Sequence, residues 1–284
     1  LLSSLHHEGF ATIAPTVRDG TIVLDEIASA AELPAGWTDE QEAGLYRLKR
    51  RADGSHFGYS VSPHSWKRYL FPAEQKLFAA RRAGGGFEIV DTPPEARRYA
   101  FVGVRPCELA AIGIFDTVLL RGGIADARYQ SARERIFIVA VNCTHPGGTC
   151  FCASMGTGPR TDAGFDLAMT EISRKQAPYL LVEVGSERGA KLIGQIPHHA
   201  ATAEEREAAE KALSQAAKKM GRTVKTKGLP KALARASDHP EWAAVAGRCL
   251  TCTNCTMVCP TCFCTTVDDV TDLTASVAER WRKW

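Results

Sequence analysis

The stretch RCLTCTNCTMVCPTCFC, residues 248–264, decides how the rest of the chain is interpreted. It contains six of the ten cysteines, and four of them have the spacing C-x2-C-x2-C-x3-C followed directly by proline: Cys249, Cys252, Cys255 and Cys259. This spacing is typical of bacterial ferredoxins, in which thiolates from consecutive turns ligate one 4Fe-4S cluster. Pro260 prevents the loop from continuing as regular helix. The segment therefore predicts an iron-containing 4Fe-4S site at these four cysteines.

Zinc, disulfide and inert-core interpretations of these cysteines are weaker. A zinc ribbon has two C-x2-C pairs separated by about 12 to 20 residues, whereas these cysteines are crowded into one stretch. A disulfide framework is typical of short secreted chains with a higher cysteine density than ten in 284 residues. Six buried, inert cysteines would be unusual in a polar, threonine-rich segment.

The composition is that of a soluble globular protein, with 24% charged and 45% hydrophobic residues and a formal net charge of +3. The small charge predicts no nucleic-acid partner, and no apolar run reaches the roughly 20 residues of a membrane span. The start LLSSLHHEGF lacks the features of a secretory signal. Reduced cysteines then favour the cytoplasm. A start at Leu1 and a stop at ERWRKW suggest a piece of a longer product.

The first part of the chain is predicted to be rich in β-structure. Residues 10–27 predict a hairpin turning at Asp19-Gly20, and further strands are expected around Tyr46 and Tyr59. The run RRAGGG, residues 81–86, is interpreted as a flexible connection. No G-x-G-x-x-G lies between a strand and a helix, so no NAD(P) site is predicted on this chain, and nothing beyond a glycine-rich loop favours a flavin.

The next part has an α/β pattern. YAFVGV, residues 99–104, predicts a strand that leads through Pro106 into a helix, and IFIVAV, residues 136–141, predicts a buried central strand. Four cysteines lie at or just beyond the carboxyl ends of these strands: Cys107, Cys143, Cys150 and Cys152. Ligands bind at this edge of open α/β sheets. The four cysteines are therefore candidates for a second cluster or a zinc site, although Cys107 alone would also fit as a small core residue under the helix.

The last part is predicted to be helical. A capping box at Thr202 and Glu205 opens a helix that extends to Met220, and helical patterns lead into the cysteine segment. With a boundary in the basic stretch 218–231, the expected organisation is a mixed α+β or α/β domain over residues 1–220 and a mostly α-helical ferredoxin-type domain over residues 232–284.

The number of cysteines leaves the ligand set of the cluster open. In two-cluster ferredoxins the last cysteine of such a run, here Cys259, ligates the other cluster. That cluster would need its own C-x2-C-x2-C, which is not found in this sequence. Cys259 therefore closes the first cluster, or its partners lie beyond Trp284, or Cys262 and Cys264 take part. The sequence Thr-Cys-Phe-Cys occurs at 149–152 and at 261–264, which would also fit two loops that share one centre.

Five stretches of the chain resemble one protein family. They are TVRDGTIVLDEI (16–27), PHSWKRYLFP (63–72), GVRPCELAAI (103–112), VNCTHPGGTCFCASMGTGP (141–159) and CLTCTNCTMVCPTCFC (249–264). Together they resemble the beta subunit of cytoplasmic sulfhydrogenases and the similar iron–sulfur subunit of anaerobic sulfite reductase. The resemblance implies that Cys249, Cys252 and Cys255 ligate one cluster and that Cys259 reaches toward a second, whose own cysteine run follows the position of Trp284 in family members.

The resemblance also implies a role. Such a subunit passes electrons between a flavin subunit that uses NAD(P)H and a catalytic subunit, which is a nickel–iron hydrogenase or a sirohaem reductase. It is not catalytic alone, because the cofactor carries the electron while the protein sets distance, solvent exposure and hydrogen bonding to sulfur. Threonines such as Thr253 and the backbone amides are the expected donors to sulfur. The rival interpretation is a non-redox module in which zinc or a structural cluster holds a partner interface.

Overall fold

A mixed six-stranded sheet forms the body of the part that the computed structural model describes, residues 1–60, 64–91, 97–173 and 178–284. The spatial order of its strands is β10-β9-β8-β7-β1-β2. Their bounds are β1 Ala11–Arg18, β2 Thr21–Glu26, β7 Tyr99–Val104, β8 Phe137–Val141, β9 Leu167–Ile172 and β10 Tyr179–Val184. Strands β1, β7, β8 and β9 are parallel, and the two edge strands are antiparallel to their neighbours. The carboxyl ends of the four parallel strands therefore meet at one edge.

Strand β8 shows why this sheet is buried on both faces. Ile138 and Ala140 belong to one hydrophobic cluster, and Val139 and Val141 belong to the cluster on the opposite side. Successive side chains of a strand point to opposite faces, so an uninterrupted apolar run needs cover on both. The prediction of a central buried strand from IFIVAV is confirmed.

Helices cover the two faces of this sheet. Their bounds are α1 Leu2–His7, α2 Lys67–Leu70, α3 Pro106–Leu120, α4 Ala127–Glu134, α5 Cys152–Met155, α6 Glu187–Ile193 and α7 Ala203–Lys218. Pro106 occupies the first turn of α3, and Thr202 and Glu205 form the capping box of α7, as predicted. The sequence KLIGQIP, residues 191–197, also suggests a strand, but this prediction is wrong because Ile193 ends α6. Within the described ranges, every helix is too short or too polar to span a bilayer.

Two smaller sheets complete the described fold. One has the order β11-β12-β5-β6, and the other pairs β3 with β4. Their bounds are β3 Trp37–Glu42, β4 Leu45–Arg50, β5 Glu74–Ala83, β6 Gly86–Asp91, β11 Thr266–Thr271 and β12 Val277–Lys283. Strand β12 pairs with β5, so residues near the end of the chain continue a sheet begun by the first part.

The N-terminal expectations were correct for one hairpin and for one further strand, and wrong elsewhere. The turn at Asp19-Gly20 and the strand at Tyr46 are confirmed. The run 81–86 is not a flexible connection, because Gly84 and Gly85 have positive φ angles and form the tight turn between β5 and β6. No strand forms in the described residues around Tyr59, 56–60 and 64–66, and residues 61–63 lie outside the described ranges.

The expectation of a mostly helical domain over residues 232–284 is not confirmed. Three short helices are present, α8 Leu229–Ala234, α9 Pro240–Ala246 and α10 Asn254–Val258, but β11 and β12 follow them. The physical reason is pairing with β5, which places Trp284 against the first part of the chain, where its indole Nε1 donates to the carbonyl oxygen of Phe71 at 2.9 Å. The boundary between residues 220 and 232 stays a prediction.

Candidate iron–sulfur sites

The C-terminal cysteine segment lies on the surface between α9 and β11. Cys255 is in the first turn of α10, Cys259 follows its last turn, and Cys249 and Cys252 precede it in irregular structure. Cys249, Cys252 and Cys255 are exposed, and Cys259 is half-buried. Every one of these thiols is free. Soft sulfur donors on a short loop that is open to solvent are suited to taking up a cluster.

Backbone conformation turns this segment sharply. Thr251 and Thr253 have φ angles of 55° and 60°, which non-glycine residues seldom adopt. The backbone N–H of Thr251 donates to the sulfur of Cys249 at 3.4 Å, so a backbone amide is the donor here, as expected. The hydroxyl of Thr253, in contrast, donates to the carbonyl oxygen of Cys252 at 2.7 Å and not to sulfur. A strained backbone that aims an N–H at sulfur is consistent with a ligand loop.

Cys259 has the most favourable surroundings for a thiolate in this segment. Burial alone would raise the pKa of Cys259, but hydrogen bonds from Thr261 and the amide of Cys262, together with the charge of Lys67, lower it below its usual value. The Thr261 hydroxyl lies 3.4 Å from the Cys259 sulfur. A metal ligand must be deprotonated, so these contacts favour Cys259 as a ligand.

Lys67 connects this segment to the body of the protein. Its side chain is almost fully buried, and its ammonium group donates to the carbonyl oxygens of Thr256 at 2.8 Å and Cys262 at 3.3 Å. The same group lies 3.7 Å above the ring of Trp284. Its charge also acts on Cys259, Cys262 and Cys264. A buried cation therefore faces the cysteine segment.

The remaining four candidates, Cys107, Cys143, Cys150 and Cys152, are called the rim cysteines below. Strand β7 ends at Val104 and leads into Cys107 on α3, and β8 ends at Val141, two residues before Cys143. The predicted position at the carboxyl edge of the sheet is confirmed. Cys107 lies within electrostatic range of the other three. The side chains of Cys262 and Cys264 are hydrogen-bonded to each other and lie within electrostatic range of Lys67. Cys150 and Cys152 lie within electrostatic range of Cys143.

Burial controls the protonation of the rim cysteines. Burial raises the pKa of Cys107, Cys143 and Cys150, and it raises that of Cys152 to about 11. Without a metal these groups are neutral thiols at pH 7. The backbone N–H of Gly147 donates to the Cys150 sulfur at 3.3 Å, and the Cys152 sulfur lies 3.9 Å from that of Met220. The surroundings are sulfur-rich.

Arg105 lies buried beside the rim cysteines. Only 2% of the residue is exposed, and its Nη2 donates to the carbonyl oxygens of Phe57 at 2.9 Å and Tyr59 at 2.8 Å. Its Nη1 is buried and makes no hydrogen bond with any residue that the structure describes. The charge of Arg105 acts on Cys143 and Cys107.

The cysteines do not form a site for a single ion. In the described ranges no three side chains of histidine, cysteine, aspartate or glutamate converge closely enough to hold one. The donor set fits iron–sulfur chemistry in kind, because it consists of soft sulfur ligands with backbone amides nearby.

Comparison with known proteins defines the class to which these features point. Residues 248–284 match the 4Fe-4S dicluster domain, which includes the whole cysteine motif and supports binding of a 4Fe-4S cluster. The mixed α/β fold therefore ends in an iron–sulfur segment of dicluster type.

A second comparison gives a particular relative. The chain is 33% identical over 189 residues to sulfhydrogenase 2 subunit beta of Pyrococcus furiosus, a match that covers 66% of this chain and 54% of that protein. The chain thus spans about half the length of the curated relative. No solved structure matches it. The resemblance inferred from the five sequence stretches is confirmed: the chain is a homologue of a sulfhydrogenase beta subunit with a 4Fe-4S segment.

Two functional candidates, Lys67 and Arg105, were missed by sequence reasoning. Both lie inside stretches that carry the family resemblance, PHSWKRYLFP and GVRPCELAAI, but a lone lysine or arginine normally indicates solvent exposure. The sequence positions of Lys67 and Arg105 could have indicated that these two residues are buried and functional. Each cation stands within apolar and aromatic residues next to a strand end or a helix start, where a charge needs a specific partner.

Proposed function

We propose that this chain is the iron–sulfur electron-transfer subunit of a hydrogenase-type complex. The observation that carries the proposal is the match of residues 248–284 to the 4Fe-4S dicluster domain, because it falls on the C-x2-C-x2-C-x3-C motif. The similarity to a sulfhydrogenase beta subunit supports the type of complex. The chain performs no bond chemistry in this role.

Each part of the segment has a distinct task. Cys249, Cys252, Cys255 and Cys259 would hold the cluster, which supplies a site that takes up and releases one electron at a time. The N–H of Thr251 at the Cys249 sulfur stabilises negative charge on that ligand. Donors to sulfur and nearby cations make reduction easier, so the residues of this chain set the potential of the site.

The partners follow from what this chain lacks in sequence and from its relative. Electrons would enter from a separate subunit that binds flavin and NAD(P)H, since the chain has no dinucleotide fingerprint. They would leave to a nickel–iron hydrogenase subunit, with a sirohaem sulfite reductase as the alternative acceptor. Relays of this kind operate among reduced thiols, and the cytoplasm provides such conditions.

Anaerobic purification tests the cluster assignment. The chain is expected to be brown, to contain iron and acid-labile sulfide, and to bleach with dithionite. Cys252→Ser is expected to lose this iron, while the matched variant Cys264→Ser, in the same segment but outside the four-cysteine spacing, keeps it. Cys259→Ser decides whether Cys259 belongs to the set. A colourless protein with one zinc per chain would support the non-redox module instead.

Identification of co-purifying chains tests the partners. A tagged chain, isolated anaerobically from its native cell, is expected to bring down a flavoprotein and a protein that contains nickel. Recovery of sirohaem in place of nickel would reassign the complex to sulfite reduction. Recovery of the chain alone, fully loaded with iron, would contradict a stable subunit role.

A further inference from the structure

We propose that the rim cysteines hold a second iron–sulfur cluster, and that Arg105 is the buried counter-charge of this cluster. The site is distinct from the C-terminal segment, and its metal content can be tested without that segment. The rim site also extends the proposed function. Its iron content is independent of that function, whereas its place in an electron path rests on it.

Arg105 carries a charge that its hydrogen bonds leave unbalanced. The guanidinium group is always protonated, and burying it without an anion has a high free-energy cost. Its two hydrogen bonds go to neutral carbonyl oxygens of Phe57 and Tyr59. Nη1 has no hydrogen-bond partner within the described ranges. The buried Glu108 carboxylate accepts from the backbone N–H of Arg105 and is a nearby group of opposite charge. Cys143 and Cys107 also act on the charge of Arg105, and both become anionic when they ligate metal, which would add balancing charge.

The arrangement of the rim sulfurs fits a body larger than an ion. Four cysteines on separate parts of the fold, the start of α3, the end of β8 and the following loop, come within electrostatic range of one another. No three of them form a site for a single ion in the part of the chain that the structure describes. A cubane cluster is larger than an ion, so its ligands stand further apart around a common body. Soft thiolates arranged in this way favour iron–sulfur chemistry over zinc.

The loop that carries Cys150 and Cys152 has glycines that let its backbone lie close to the cysteine sulfurs. At Gly158 a Cβ atom would lie 2.8 Å from the Cys152 sulfur and 3.5 Å from Pro106. At Gly147 it would lie 3.0 Å from the Ser60 hydroxyl, and the N–H of Gly147 already donates to the Cys150 sulfur. Glycine at both positions keeps the backbone near sulfur, as ligand loops require.

The first turn of α3 carries Cys107 and also approaches the C-terminal segment. Cys107 is followed by Glu108, which lines a small cavity together with Pro260, the residue after Cys259. In the proposed relay, the rim cysteines would hold one group and Cys249, Cys252, Cys255 and Cys259 another, and each group would supply one-electron transfer. No bond is broken, and no proton is required.

Iron analysis of two multiple variants of the full chain separates the two sites. Cys249→Ser/Cys252→Ser/Cys255→Ser removes the C-terminal ligands and is expected to retain about four iron and four sulfide per chain at the rim. Cys150→Ser/Cys152→Ser is expected to retain only the C-terminal cluster. A folded triple variant with no iron, or with zinc, would overturn the rim proposal. An iron-free double variant would instead count against the C-terminal cluster and the proposed function.

Substitution of Arg105 tests its role. In the background of the triple variant, Arg105→Met is expected to release rim iron to a chelator roughly 10-fold faster, the scale of supporting-residue effects on metal affinity. Arg105→Lys keeps the charge and is expected to recover part of the retention. Arg98→Met, at an exposed arginine, is the control. Equal retention of rim iron in all folded variants would overturn the counter-charge role. If Arg105→Met does not fold, the midpoint potential of the rim cluster is compared between Arg105→Lys and the unsubstituted Arg105, and an unchanged potential would overturn the role.

Discussion

The ammonium group of Lys67 donates a 2.8 Å hydrogen bond to the carbonyl oxygen of Thr256, which lies 189 residues later in the chain. The bond joins α2 of the first part to α10 of the cysteine segment. It places a positive charge beside the proposed cluster and attaches the loop to the protein body. Lys67 thus both holds the cysteine segment in place and supplies a positive charge beside it.

Lys67→Met is expected to lower the midpoint potential of the C-terminal cluster. A unit charge near a partly buried site contributes about 1–2 kcal/mol, which corresponds to roughly 40–90 mV for one electron. Reduction adds negative charge, so removal of a cation makes it harder. An anaerobic redox titration measures the shift, with Lys49→Met on the exposed side of β4 as control. An unchanged potential in folded Lys67→Met would contradict this role.

Asp126 is expected to stabilise the junction between α4 and the C-terminal hairpin. Its carboxylate accepts from the N–H groups of Arg128 and Tyr129 at the start of α4 and pairs with Arg282 on β12. Asp126→Ala removes a helix cap and leaves a largely buried arginine unpaired, so the free energy of unfolding should fall by about 2 kcal/mol. Urea titration measures the loss, and Asp162→Ala, at a largely exposed carboxylate, should change it by less than about 0.5 kcal/mol.

The contribution of Asp126 has a defined pH dependence. Burial alone would raise its pKa, but hydrogen bonds from Tyr129 and Arg282 and the charge of Arg282 lower it below the ordinary value of 3.8. The stabilisation is therefore complete above that value and is lost as the pH falls through the lower, folded-state value. The stability difference between wild type and Asp126→Ala should be constant near neutrality and shrink in acid. A difference that grows in acid would contradict the sign.

Two glycines are expected to respond oppositely to alanine. Gly103 in β7 has a φ of +99°, and a Cβ atom there would lie 2.9 Å from Pro15. Gly103→Ala should therefore destabilise the sheet by about 1–3 kcal/mol. Gly113 is exposed on α3 with no neighbour within 4 Å of an added Cβ, and Gly113→Ala should stabilise by about 0.5–1 kcal/mol. Thermal unfolding of the two variants checks both signs, and a stabilised Gly103→Ala would contradict the assigned backbone strain.

The sequence correctly predicted those strands and helices whose signals lie in residues close together in the chain. The strands at 99–104 and 136–141, the helix after Pro106 and the capped helix after Thr202 carry their signals in neighbouring residues. The same is true of the cysteine motif, because the spacing of its cysteines indicates the type of cluster that they can ligate. The carboxyl edge of the sheet followed from the order of strands and helices, and Cys107 and Cys143 lie there, whereas a shared centre for the rim cysteines stays a prediction.

Long-range pairing could not be predicted in this way. Strands β11 and β12 consist largely of exposed or half-exposed residues, and β12 gains a partner only because β5 lies beside it. The roles of Lys67 and Arg105 likewise depend on burial by residues far away in sequence. A motif names the residues that can ligate a metal, whereas the charges that balance them come from the tertiary fold.

Electron paramagnetic resonance of the anaerobically prepared chain, reduced with dithionite, tests the central claim most directly. We expect one-electron reduction of iron held by Cys249, Cys252 and Cys255, seen as a signal of a reduced 4Fe-4S cluster that disappears in Cys252→Ser and persists in Cys264→Ser. A folded chain that shows no such signal and contains no iron at these cysteines would contradict it.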